Sequence, residues 1–139
     1  KFRNKIINFI DESYNSNPLS LKNALNNFSK MKIKKNTKHV LLGDMLELGE
    51  SSINHHKSIA KIINKLDIHQ VHIFGKDIEK TYEVLKKNKQ GMIIKNLSRI
   101  SDLILKTLNT NDYLMIKGSN STGLFKQSQL LKLNRLYAL

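Results

Sequence analysis

At 139 residues, with 40% hydrophobic and 25% charged side chains, the chain is long enough to bury one core and too short for two full domains. It has no cysteine, which excludes disulfides, cysteine zinc sites and a thiol nucleophile. Its net charge of +13 comes from 21 Lys and three Arg against 11 acids. That charge reads mostly as a compositional skew over solvated faces, accompanied as it is by 16 Asn, 16 Ile and a single Pro, with a remaining share able to attract anionic substrates. Arginine, which reads bases and clamps phosphates, is scarce.

The longest apolar runs are four or five residues, as from His39 to Gly43, far short of a membrane span. The basic start from Lys1 to Lys5 runs into a strand-like stretch and a polar turn, so no signal peptide is expected and a cytoplasmic location is. In chain order, Lys5 to Ile10 is rich in β-branched residues and reads as a strand. Asn17-Pro18 reads as an N-cap with Pro at the first helical position, and Leu21, Ala24, Leu25 and Phe28 form one helical face. Lys38 to Leu42 is the second strand, followed by a loop from Gly43 to about Ser51 and a helix with the stripe Ile59, Ile62, Ile63, Leu66. Val71 to Phe74 is the third strand, with Ile78, Tyr82 and Leu85 marking the helix behind it. Met92 to Ile94 is a shorter fourth strand, and Asn96 or Ser98 caps a helix showing Ile100, Leu103, Ile104 and Leu108. Tyr113 to Ile116 is the fifth strand, and a last helix runs from Leu124 to about Tyr137.

This alternation predicts a single α/β domain over residues 1–139: a Rossmann-like, doubly wound, mostly parallel sheet of five to six strands with helices on both faces. In such a sheet ligands bind beyond the carboxyl ends of the strands. The loops there are Asp11-Glu12-Ser13-Tyr14-Asn15-Ser16-Asn17-Pro18, Gly43-Asp44-Met45-Leu46-Glu47-Leu48-Gly49 and Lys117-Gly118-Ser119-Asn120-Ser121-Thr122-Gly123. Any one of them could be an ordinary turn, but three polar loops on one edge make a candidate site. Gly118 to Gly123 has the glycine spacing of a phosphate-binding loop, yet Leu124 and Phe125 stand where Lys and Ser/Thr are needed. No G-x-G-x-x-G follows the first strand, which argues against a dinucleotide domain. His55 and His56 are adjacent, so they point about 100° apart on a helix, and no metal site is expected. A hydrogen bond from His56 to the neighbouring loop is the better reading.

Together the three blocks, with His56 seven residues after Gly49, resemble the C-terminal domain of a Mur ligase. They look most like the type that joins D-alanyl-D-alanine to UDP-N-acetylmuramoyl-tripeptide in peptidoglycan precursor synthesis, and so serves cell wall biogenesis, cell shape and division. The resemblance covers nearly the whole chain. It implies a cytoplasmic, ATP-dependent amide-bond ligase working through an acyl phosphate, with ATP and Mg2+ bound mainly by a central domain absent from this chain. A UDP-sugar-binding N-terminal domain would also lie upstream, and the missing initiator Met fits an excised fragment. Partners implied are the tripeptide nucleotide, D-alanyl-D-alanine and the upstream domains, with no nucleic acid, no membrane span and a monomeric state. The fragment alone is expected to be inactive.

By the same resemblance, Asp11, Glu12, Tyr14, Asn15 and Asn17 face the nucleotide, with Asp11 or Glu12 accepting from the ribose hydroxyls. Glu47, Leu48, Gly49, Gly118 and Ser119 face the substrate. Asp44 and Lys117 serve the reaction, Lys117 meeting a dipeptide carboxylate or a phosphate oxygen. Both are expected to be loop charges whose replacement costs little folding energy, within about 0.5 kcal/mol. Two positions depart from the family pattern: Glu12 where a second Asp is frequent, and Asn120 where an Arg usually follows Lys-Gly-Ser. The alternative reading is a non-catalytic basic α/β module that binds nucleic acid or acts as an adaptor. It calls for clustered Lys with interleaved aromatics, whereas Lys is found in every segment and the nine aromatics fall mostly at core-periodic positions.

Overall fold

The computed structural model describes residue 2 and residues 4–133. Five strands form one parallel sheet: β1 (Asn8–Glu12), β2 (Lys38–Gly43), β3 (Gln70–Phe74), β4 (Gln90–Ile94) and β5 (Tyr113–Lys117), in the spatial order β1-β5-β2-β3-β4. The helices are α1 (Pro18–Lys30), α2 (Ser52–Ile63), α3 (Glu79–Val84), α4 (Ile100–Thr107) and α5 (Leu124–Lys132). The doubly wound α/β architecture expected from the sequence is the one found.

Alternating side chains divide the interior into two cores. Val40 and Leu42 of β2, with Val71, Ile73 and Met115, pack against Leu21, Leu25 and Phe28 of α1 and Ile59, Ala60 and Ile63 of α2. Leu41, Leu114 and Ile116 point the other way and meet Ile100, Leu103, Ile104 of α4 and Leu124 of α5. Every residue of β2 is buried, as a central parallel strand covered on both faces must be. Each of these apolar side chains except the small Ala60 contributes about 1.5–3 kcal/mol by leaving water.

The chain runs outward from β1 through β2 and β3 to β4, with α1 and α2 on one face, then returns under α4 on the other face to insert β5 between β1 and β2. The turns after β1 and β2 therefore leave toward one face, and the turn after β5 toward the opposite one. A crevice opens between them at the carboxyl ends of these three strands.

Several boundaries differ from the sequence reading: β4 spans Gln90–Ile94 and is as long as β1, β3 and β5, not shorter, and β5 runs on through Lys117. The first strand begins at Asn8, where pairing with Tyr113 starts, so Asp11 and Glu12 are its last two residues. Phe2 and Lys5 instead exchange two backbone hydrogen bonds of 2.7 and 2.9 Å, and the Lys5 ammonium lies on the carbonyls of Ile104, Leu105 and Leu108 at the end of α4. The last helix ends at Lys132, and the expected continuation toward Tyr137 lies outside the described residues.

The Lys5 contact belongs to a set. Lys89 donates to Ile63, Leu66 and Ile68 carbonyls beyond α2 at 2.6–3.1 Å. Buried Lys38 donates to the Ser29 carbonyl of α1 at 2.7 Å and pairs with Asp67 at 2.8 Å. A cation at a helix carboxyl end satisfies orphan carbonyls and opposes the negative pole of the helix dipole. Part of the positive charge is thus internal architecture and not solvated surface.

Candidate functional site

The loop after β1 is built around its own hydrogen bonds. Asn17 caps α1 by accepting from the Ser20 amide at 2.8 Å, and the Ser20 hydroxyl accepts from the Asn17 amide at 3.0 Å. Pro18 fits the first helical position because its missing N–H is not needed there. Between strand and cap, Ser13 and Ser16 turn inward, whereas Glu12, Tyr14 and Asn15 face solvent. Tyr14 is 68% exposed and stands edge-on to Phe125 of α5, with ring centroids 5.4 Å apart.

Asp11 is engaged within the domain. Its carboxylate accepts from the Ser13 amide and hydroxyl and from Gln129 of α5 at 3.0 Å, and pairs with Lys132 at 2.6 Å. Burial raises its pKa, but the bonds from Lys132 and Ser13 outweigh this and hold it at about 2. The side chain ties α5 to the end of β1.

Asp44, expected as a free loop charge, is half-buried: its carboxylate accepts from the Ile78 amide at 2.8 Å and the Lys76 amide at 3.2 Å. It holds the turn after β3 against the turn after β2. A Cβ at Gly75 would strike the Asp44 carboxylate, so that backbone must stay bare. The next residue, Met45, is buried and its amide donates to Nε2 of His56 at 3.2 Å. Since Nε2 accepts, Nδ1 carries the proton and donates to the Ser52 carbonyl at 2.8 Å. The loop contact expected of His56 is the one found. Glu47, with φ 61°, and Gly49, with φ 57°, then turn the backbone through the left-handed region, which costs Glu47 roughly 1–2 kcal/mol.

Lys117 closes β5, and its Cα partner across the ladder is Glu12. It is buried, not exposed: its ammonium donates to the carbonyls of Glu12 and Asn15. Burial lowers its pKa and the nearby Glu12 charge partly restores it. Ser119 joins all three loops. Its hydroxyl donates to the Ser16 carbonyl at 3.3 Å and accepts from the Leu46 amide at 3.2 Å, while its own amide donates to the Asp44 carbonyl at 3.3 Å. Gly43 and Gly118 face each other across neighbouring strand ends, and the Leu124 side chain fills the space any Cβ there would need. Leu124 thus occupies, as packing, the position where a phosphate-binding loop would carry its lysine.

Two hollows result. One of about 610 Å3 is lined by all three loops, among them Asn15, Ser16, Leu46, Glu47, Ser119 and Asn120. A smaller one of about 290 Å3 lies between Glu12, Tyr14, Asn15, Lys117 and Phe125. The expected residues Glu12, Tyr14, Asn15, Asn17, Glu47, Leu48, Lys117 and Ser119 line one or other of them. Asp11 borders the smaller hollow with its carboxylate already taken, and Asp44, Gly49 and Gly118 line neither hollow. Ser16 and Phe125 were not expected; Ser16 carried no signal beyond lying between two loop asparagines, and Phe125 reaches the site only because α5 packs beside β1.

A profile of the Mur ligase family, described as its glutamate ligase domain, matches residues 2–120. The UDP-N-acetylmuramoyl-tripeptide–D-alanyl-D-alanine ligase of Buchnera aphidicola is 31% identical over 124 residues, 88% of this chain and 26% of that protein. The protein of the same name from Treponema pallidum is 26% identical over 132 residues, 93% of this chain and 28% of that one. Among solved structures, MurF ligase of Thermotoga maritima in complex with ADP superposes with a TM-score of 0.74 at 18% identity, over 95% of this chain and 29% of that chain. A MurF structure from Acinetobacter baumannii gives 0.70 at 24%, over 93% of this chain and 27% of that chain. These two likenesses establish the fold, and the chain spans between a quarter and three tenths of the proteins it matches. With the profile matched across most of its length, the chain belongs to the Mur ligase family, of which it carries the glutamate ligase domain.

Proposed function

We propose that this chain is the C-terminal domain of an ATP-dependent, cytoplasmic, monomeric ligase that joins D-alanyl-D-alanine to UDP-N-acetylmuramoyl-tripeptide. The observation that carries the reading is the agreement of relatives: three bacterial proteins with that one printed activity each align over at least 88% of this chain. The sheet-edge crevice suits the role, since it is open and composed of the loops that carry the resemblance. In the reaction, ATP converts the tripeptide carboxylate to an acyl phosphate. The dipeptide amine then attacks the acyl carbon, the C–N bond forms, and phosphate leaves.

The smaller hollow fits a nucleoside. Tyr14 offers an exposed ring for the base, Glu12 a free carboxylate for ribose hydroxyls, and Asn15 an amide beside them. Asp11 and Asn17 support this loop from within. Lys117, close beneath, would hold a phosphate oxygen or the dipeptide carboxylate, with an electrostatic effect enhanced by burial. Glu47, Leu48 and Ser119 line the larger hollow, which would take the dipeptide, with Gly49 and Gly118 shaping the turns beside it and Asp44 positioning the loop after β2. Mg2+ would travel with the ATP phosphates, bound mainly by the upstream domains.

The test uses the longer protein that carries this chain. Phosphate release should require the tripeptide nucleotide and D-alanyl-D-alanine together, and residues 1–139 alone should release none. Release by 1–139 above a heat-killed control, or release by the longer protein indifferent to the dipeptide, would refute the reading.

A further inference from the structure

The acids gather at one pole, although Lys76, Lys95, Arg99, Lys117 and Lys126 stand there too. All strands are parallel, so every strand carboxyl end, and the start of the next helix, lies on one edge of the sheet. Eight of the eleven acids lie there, from Asp11 and Glu12 at the end of β1 to Asp102 in the first turn of α4; only Asp67, Glu83 and Asp112 do not. A compositional skew sets how many lysines a chain has, but it does not gather the acids at one end.

Helix capping accounts for part of the opposite, basic pole, through Lys5, Lys38 and Lys89 on helix-end carbonyls. It does not account for the rest. Lys32, Lys34 and Lys35 are exposed in the irregular segment between α1 and β2, beyond the last helical turn. Lys86 and Lys87 are exposed between α3 and β4. Between them, Lys57, Lys61 and Lys65 follow one another at i, i+4, i+8, a single stripe down α2 and off its end. α2 contacts both α1 and α3, so the three groups form one surface. None of these ammonium groups has an ion-pair partner among the described residues. The Lys86 charge helps to lower the pKa of Lys89, after burial, which marks the crowding of like charge.

We propose that this pole docks on the anionic surface of a lipid bilayer, leaving the crevice edge turned away from it. Among the described residues the patch is made of lysine point charges without arginine forks, which suits a diffuse layer of headgroups and not the reading of bases. Met31, 37% exposed between Lys30 and Lys32, and the partly exposed Ile33 supply apolar side chains between the cations. Among the described residues no aromatic side chain stands exposed at this pole for bases to stack on, Tyr82 being half-buried with its hydroxyl on the Gly91 carbonyl at 2.7 Å. No helix among the described residues is long and apolar enough to cross a membrane, so the attachment is peripheral.

The experiment floats the chain, and the longer protein carrying it, with vesicles of phosphatidylcholine alone or with one third phosphatidylglycerol. Binding is expected only to the anionic vesicles and should weaken as salt rises. Replacing Lys32, Lys34 and Lys35 with Gln should weaken it by more than about 10-fold. Neutralising Lys76, Lys95 and Lys126, which lie elsewhere, should change it by less than about 2-fold. Melting curves check that both variants fold. Absence of binding at physiological salt, equal loss from either triple variant, or displacement of the vesicles by a nucleic acid duplex would each overturn the proposal.

Discussion

Lys117 donates to the carbonyl of Asn15 and so joins the end of β5 to the loop after β1. Its ammonium is buried with backbone carbonyls for partners, and burial lowers its pKa against the opposing effect of Glu12. Such a cation adds little net stability, because desolvation offsets much of what its bonds provide. Lys117→Met keeps the stem and removes the charge. In the longer protein it should change stability by no more than about 1.5 kcal/mol, while turnover falls by on the order of 10²-fold or more. Melting temperature and turnover measured side by side decide; near-normal turnover would leave Lys117 a loop fastener only.

Asp44 makes a contrasting case. Two backbone amides of the turn after β3 converge on its carboxylate, so Asp44→Ala strands both and should cost about 1–3 kcal/mol of stability. Asp44→Asn keeps one acceptor oxygen and should cost less. Chemical denaturation of the two variants provides the comparison, and equal, negligible losses would mean that these bonds contribute nothing.

Sequence pattern was enough for the architecture because β-branched runs, helical stripes and the Asn17-Pro18 cap all agreed with the tertiary arrangement. The loops of the crevice were legible for the same reason, since a parallel sheet delivers every strand carboxyl end to one edge. Which charges stand free within those loops was not. Asp11 is taken by Gln129 and Lys132, more than a hundred residues away, and Asp44 by amides of residues 76 and 78. Such pairings follow from which helix packs beside which strand end, and no local spacing encodes them. The lysines that cap helix ends, Lys5, Lys38 and Lys89, were hidden for the same reason, since the carbonyls they meet lie on other elements.

A buried imidazole pair makes the fold sensitive to acid. Nδ1 of His72 accepts from the Met92 amide at 2.9 Å, so its Nε2 donates to His39 Nδ1 at 3.0 Å, and His39 Nε2 donates to Thr37 at 2.8 Å. Burial, and after it the His39 charge, push the His72 pKa down to about 3. Burial lowers that of His39 too, against the opposing effect of Asp112. Both rings are therefore neutral in the folded chain at pH 7, and the unfolded chain binds the extra protons below about pH 6.5. Stability should fall as pH drops from 6.5 toward 3, by about 1.4 kcal/mol per pH unit for His72, and the lowered pKa of His39 acts in the same direction. Denaturation midpoints across that window test this, and His72→Gln should flatten the slope. An unchanged slope would exclude His72 as its source.

Asp11 and Glu12 are adjacent acids at the end of one strand, and the structure separates their work. Asp11 is held at about 2 by Lys132 and Ser13 against the raising effect of burial. Its contribution is thus complete above the ordinary carboxyl pKa near 3.9 and is lost as pH falls through 2. Asp11→Asn should destabilise the domain at pH 7 by about 2 kcal/mol and by progressively less in acid, leaving the KM for ATP of the longer enzyme nearly unchanged. Glu12 is exposed beside the smaller hollow and its carboxylate holds no internal partner among the described residues. Glu12→Gln should leave the melting temperature where it was and raise the KM for ATP. The two variants are best measured together, by melting at pH 7 and pH 3 and by ATP saturation at fixed dipeptide. A raised KM in Asp11→Asn with unchanged melting would return the ribose contact to Asp11, and α5 would then be held to β1 by packing, without the strap from Lys132.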